Sequence, residues 1–99
     1  LHHPYSLANE SPETSWKNIG NKVRYTHLKD SRKNADGKHT PVLFGNGDVP
    51  IREMLALLKK GGYDGYLTLE WEKRWNKDIE EPEIVFPQYI REVKKMLEV

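Results

Sequence analysis

Gly61-Gly62-Tyr63-Asp64-Gly65-Tyr66-Leu67-Thr68-Leu69-Glu70-Trp71 is a glycine-punctuated turn that feeds a short apolar strand, with one carboxylate, Glu70, at the strand's C-terminal end. Upstream, Val23-Arg24-Tyr25-Thr26-His27-Leu28-Lys29-Asp30 delivers a histidine in the same way. Parallel β/α folds gather their reactive groups at strand C-termini, so the pair reads as half of a metal site. The other half is not evident in the sequence.

Working outward, Ile51, Met54, Leu55 and Leu58 recur at helical spacing ahead of Gly61 and Gly62, and predict an amphipathic helix that the glycines stop. Asp48 is the expected cap, with Pro50 in the first turn. Gly65 to Trp71 is a second strand, apolar enough for a buried parallel one. Ser11-Pro12-Glu13 is a helix start, the helix running to about Ile19 and ending at Gly20. Val23 to Leu28 is a strand rich in β-branched and aromatic residues. Residues 1–10 read as polar loop. Residues 30–47 are irregular, with a hairpin turn at Asp36-Gly37 and a tight loop at Gly45-Asn46-Gly47. After a charged loop at 72–81, a last helix carries Tyr89, Ile90, Val93, Met96 and Leu97 on one face. Pro82 lies near its start, and Pro87 either begins it or kinks it.

Strands alternating with helices imply right-handed parallel β/α units. Two parallel strands do not complete a sheet, so their edges and faces need covering by something else. The 99 residues are one domain or part of one. At 36% hydrophobic and 31% charged the composition is that of a soluble globular chain. A net charge of +1 lacks the basic excess of a general nucleic-acid binder. No apolar run approaches the roughly 20 residues a membrane span needs. With no cysteine and no signal-peptide pattern, a reducing cytoplasm is the expected compartment, although the lack of cysteine does not by itself exclude secretion.

From about Ser11 to Leu97 the chain resembles the C-terminal part of the xylose isomerase-like TIM barrels, a group that includes sugar-phosphate isomerases and epimerases, inosose dehydratases and endonuclease IV. The resemblance rests on His27-Leu28-Lys29-Asp30, on Phe44-Gly45-Asn46-Gly47-Asp48-Val49-Pro50, and on Leu57-Leu58-Lys59-Lys60-Gly61-Gly62-Tyr63-Asp64-Gly65-Tyr66 followed by Leu69-Glu70. Each element is weak alone; their order and spacing are specific. They correspond to strands seven and eight of a (β/α)8 barrel with their helices, so residues 1–99 are expected to be a partial, incomplete TIM barrel. Family members often end the sixth strand in Asp-x-x-His. His3 would be that histidine, and its Asp would precede Leu1, so the start reads as a cut inside the barrel in preference to a tag remnant.

The resemblance implies a divalent metal (Mn, Mg, Co or Zn) held by Glu, Asp, His and Glu from four strands, with His27 and Glu70 supplying the last two. Such an ion stabilises the enediolate formed when a sugar loses a proton next to its carbonyl, and Glu70 would also shuttle that proton. His3, Lys29 and Trp71 would contact the sugar or sugar phosphate. Read from the residues alone, His27 is also compatible with ordinary hydrogen bonding, and Glu70 with a salt bridge to Lys29 or Arg24. The charges of Arg32, Lys33, Lys38 and His39 read as a solvated loop in preference to a substrate contact, and Trp71 and Trp75 equally as walls of the barrel mouth or as plain packing. The long loop lacks the Asp-x-His pair of endonuclease IV, which argues against DNA repair, and a His3, His27 and His39 zinc cluster has no supporting spacing.

The expectation is therefore a fragment of a metal-dependent sugar isomerase or epimerase, inactive alone unless the remaining barrel strands join it. Dehydratase or hydrolase chemistry on the same barrel differs only in loops. The alternative from another class is a non-catalytic small α/β protein that covers its strand edges by self-association.

Overall fold

A computed structural model describes residues 2–97. The elements, in chain order, are helix α1 (His2–Ala8), helix α2 (Pro12–Ile19), strands β1 (Thr26–Leu28), β2 (Ser31–Lys33) and β3 (His39–Pro41), helix α3 (Ile51–Lys60), strand β4 (Leu67–Leu69) and helix α4 (Pro82–Leu97). The fold is mixed α/β. β1 pairs in parallel with β4, Thr26 opposite Leu67, His27 opposite Thr68 and Leu28 opposite Leu69. β2 and β3 form a separate antiparallel hairpin.

Side chains alternate across a strand, so this pairing sorts the parallel strands into two faces. Thr26, Leu28, Leu67 and Leu69 fall on one face, and Leu28 there joins the core with Phe44, Met54, Leu55, Leu58, Tyr89 and Val93. His27, Lys29, Thr68 and Glu70 fall on the other. The helices thus cover the aliphatic face and leave the histidine, the lysine and the carboxylate on the other.

α2 starts as expected: the Ser11 hydroxyl accepts from the Thr14 N–H at 3.2 Å and Pro12 occupies the first turn. α3 buries Ile51, Met54, Leu55 and Leu58, the face read from the sequence. Its cap differs. The chain enters through Pro50 without a side-chain cap, because the Asp48 carboxylate accepts the Lys33 N–H at 2.7 Å and so pins the hairpin. Gly62, at φ +77°, supplies the left-handed residue after the helix. The hairpin turns at Asp36-Gly37, with Gly37 at φ +86° and the Lys38 N–H donating to Asp36 Oδ1 at 2.9 Å.

Four further expectations change. Residues 2–8 are helical where a loop was expected: buried His2 docks the segment on Ser31, and Asn9, at φ +53°, ends it. Both parallel strands are shorter than their apolar runs. The Tyr66 carbonyl is taken by the hydroxyls of Thr26, at 2.8 Å, and Tyr63, at 2.7 Å, so the ladder begins only at Leu67. β4 is half-buried along its length, since β1 is its only pairing partner among the described residues. Finally, α4 turns Val85, Gln88, Tyr89 and Val93 inward and leaves Ile90 exposed, with Pro87 inside the helix and Pro82 at its first position. Among the described residues no helix is long and apolar enough to cross a membrane.

Candidate functional site

Glu70 is the first residue after β4, held there by its N–H donating to the Leu28 carbonyl at 2.8 Å. That bond extends the parallel ladder and fixes the carboxylate beside the end of β1. Its Oε2 lies 3.7 Å from His27 Nδ1, and its Oε1 lies 3.8 Å from Lys29 Nζ. Three of the residues singled out in the sequence therefore converge on the polar face. Two donors on one ion at the usual 2.0–2.2 Å stand about 3–3.5 Å apart, so the imidazole and carboxylate need only a small adjustment to share a cation. Among the described residues no cluster of three His, Asp or Glu side chains could hold an ion, so further ligands would have to come from elsewhere. Imidazole plus carboxylate is a donor set that suits Mn²⁺, Mg²⁺, Co²⁺ or Zn²⁺.

Lys29 resolves the choice of ionic partner for Glu70. Its ammonium, with the side chain only 11% exposed, lies 2.5 Å from Glu72 Oε1 as well as near Glu70. Arg24 turns instead to the carbonyls of Asn21 and Val23. The hydrogen bond from Lys29 holds the Glu72 carboxyl below its usual value, with smaller help from a hydrogen bond with the Glu70 carboxyl and from the charge of His3. His3 itself is exposed, its ring 5.2 Å from that of His2. Tyr25 stands edge-on against His27 at 5.0 Å.

The Trp71 indole N–H donates to the Glu80 carbonyl at 3.0 Å, which ties it to the 72–81 loop, and Trp75 stacks under the Arg74 guanidinium at 4.8 Å. Arg32 and Lys33 belong to the hairpin, where Arg32 donates to the Asn46 carbonyl. His39 does not join a zinc cluster. It shares the buried Ser31 hydroxyl with His2, at 3.0 and 2.7 Å respectively.

Sequence reasoning passed over four residues that organise this region. Buried Asp30 accepts the N–H groups of Ser31 at 2.8 Å, Gly45 at 2.8 Å and Gly47 at 3.0 Å. Burial pushes its carboxyl up, and these backbone donors pull against that shift. His2 and Ser31 dock α1, and burial lowers the His2 imidazole to about 4, with Lys29, His3 and His39 adding to the shift. Glu72 holds Lys29. Only Glu72 had a local signal, since Glu70-x-Glu72 repeats the two-residue strand period.

A histidine, a lysine and a carboxylate thus share one face at the ends of two parallel strands, where β/α barrels build their sites. The profile of the Xylose isomerase-like TIM barrel family matches residues 2–96, and the chain belongs to that family. Among curated proteins it is 34% identical over 67 residues to the fructoselysine 3-epimerases of Escherichia coli O157:H7 and Shigella flexneri. The match covers 68% of this chain and 23% of each relative, so the chain spans about a quarter of the length of the curated relatives it matches. No solved structure matches it significantly.

Proposed function

We propose that this chain is the C-terminal part of a (β/α)8 sugar isomerase or epimerase, contributing strands seven and eight with their helices, and that the intact protein is a cytoplasmic, divalent-metal-dependent enzyme acting on a sugar or sugar phosphate. The observation that carries the reading is the convergence of His27, Lys29 and Glu70 on the polar face of the parallel pair. His27 Nδ1 and Glu70 Oε2 are the two donors this chain offers an ion. Bound there, the ion would supply Lewis acidity at the substrate's oxygens. Glu70 would take the proton from the carbon next to the carbonyl and return it, its position set by the Leu28 carbonyl. His3 and Lys29 would meet the substrate's hydroxyls or phosphate, and Trp71 would wall the mouth. The names of the relatives make fructoselysine the first substrate to try.

The test is Glu70→Gln in the protein with its barrel complete. Proton transfer by a positioned carboxylate contributes on the order of 10²–10⁴ in rate, and turnover should fall by at least that lower bound while circular dichroism and melting stay unchanged. Turnover surviving within a few-fold removes the assignment.

A second reading follows from the sheet. Among the described residues β1 and β4 pair only with each other, so each leaves an outer edge. Self-association of a non-catalytic chain would cover those edges as well as the remaining barrel strands would. Native mass spectrometry of the 99-residue chain with excess Mn²⁺ separates the two. A metal-retaining oligomer means that several copies rebuild a site, a metal-free oligomer supports the non-catalytic chain, and a metal-free monomer assigns function to the complete barrel.

A further inference from the structure

Glu70 and Glu72 reach the same ammonium from one side of the sheet, yet unequally. Lys29 Nζ is 2.5 Å from Glu72 Oε1, a charge-assisted hydrogen bond, and 3.8 Å from Glu70 Oε1, beyond hydrogen-bonding range. The opposite oxygen of Glu70 faces His27. A lysine whose side chain is 11% exposed must keep an anionic partner, because a buried unpaired ammonium is costly. Glu72 is that partner, and Glu70 is the nearest substitute.

From this geometry we propose that Glu72 is a positioning residue: it takes the hydrogen bond of the Lys29 ammonium and so leaves Glu70 in a looser ion pair that a cation or a proton can displace. The role of Glu70 in that statement rests on the function proposed above; the role of Glu72 rests on the distances alone. Without Glu72 the ammonium moves a little over an ångström to reach Glu70. Glu70 is then neutralised by an internal cation, and an external one must displace it.

Hydrogen-bond couplings from lysine ammonium nitrogens, read by NMR on the full chain, test the placement without any metal. The wild type should show Lys29 Nζ coupled to the Glu72 carboxyl carbon. In E72Q the coupling should pass to Glu70, and in E70Q it should stay on Glu72. A wild-type ammonium coupled to Glu70, or an E72Q ammonium that stays off Glu70, overturns the proposal. Added Mn²⁺ then reads the consequence through broadening of the His27 and Glu70 resonances. E72Q should need about tenfold more Mn²⁺ than wild type for equal broadening, and E72Q/K29M should return to the wild-type value, a rescue that a merely structural role for Glu72 would not give. Equal Mn²⁺ response in wild type and E72Q also overturns it. Broadening absent from the wild type at every Mn²⁺ concentration sinks the cation role of Glu70, while the couplings still decide whether Glu72 places Lys29.

Discussion

Gln88 and Phe44, 44 residues apart, exchange two hydrogen bonds: the Phe44 N–H donates to Gln88 Oε1 at 3.2 Å, and Gln88 Nε2 donates to the Phe44 carbonyl at 2.6 Å. A side-chain amide thus pairs with backbone as a strand would, in the middle of the core, and fastens α4 to the loop that leads into α3. Gln88→Ala leaves a buried donor and a buried acceptor without partners, each worth about 1–3 kcal/mol. Urea unfolding should show a loss of about 2–4 kcal/mol. A loss below about 0.5 kcal/mol, the size of an ordinary surface change, would mean the amide is not the fastening.

Gly47 lies against Asp30. A Cβ at position 47 would run into the Ser31 carbonyl and Asp30 Oδ1, both held in place by the cradle of backbone donors around Asp30. Gly47→Ala should cost about 1–3 kcal/mol through overpacking, read as a lowered melting temperature. An unchanged melting curve would show that the loop relaxes freely.

The N-terminal helix should come loose in acid. His2 sits buried with its imidazole lowered from 6.5 to about 4, so the folded state favours the neutral ring. A depressed pKa contributes stability that is fully present above the unfolded value and lost as pH falls towards the folded one. The window is therefore pH 6.5 down to about 4, and the full loss is on the order of 3 kcal/mol. Asp30 shifts the other way: its carboxyl is raised, so acid favours its folded form and does not account for a loss in this window. Amide-exchange protection of residues 2–8, each rate referred to the unstructured-chain rate at the same pH, should fall from pH 7 to 4 in wild type and change far less in His2→Gln. An equal fall in both would assign the acid sensitivity to another group.

His27 and Leu28 are neighbours with opposite duties. The His27 side chain is 53% exposed on the polar face, whereas Leu28 is 1% exposed in the core. His27→Ala should change stability by no more than about 0.5 kcal/mol, and Leu28→Ala should cost about 2–5 kcal/mol, both measured by urea unfolding. A large loss at His27 would make it a structural residue and weaken its candidacy as a ligand.

What the sequence disclosed and what it hid divide along physical lines. Helical periodicity at Ile51, Met54, Leu55 and Leu58 located α3, and Asp36-Gly37 located the hairpin, because both signals are local. The parallel relation of β1 and β4 followed from the alternation of strands and helices. The helix at residues 2–8 was invisible, since His2 is held by Ser31, 29 residues away. Asp48 was misplaced for the same reason: its cap role was a local inference, and a hairpin 15 residues upstream took the carboxylate. At the site, His27, Lys29 and Glu70 stood out through their motif. Glu72 emerged only when the Lys29 ammonium was located, because its two-residue spacing from Glu70 places it on the same side without naming its partner.

The Tyr89 hydroxyl, which burial pushes up to about 12 and so keeps protonated, donates to the Leu67 carbonyl at 2.6 Å from the helical side of the sheet. One residue further back, Thr26 holds the Tyr66 carbonyl. Together they forbid β4 from slipping along β1. A slip of a single residue would turn every side chain of the strand over and aim Glu70 into the aliphatic core. A phenol that never meets the polar face therefore acts as its registration pin, and decides on which side of the sheet the carboxylate stands.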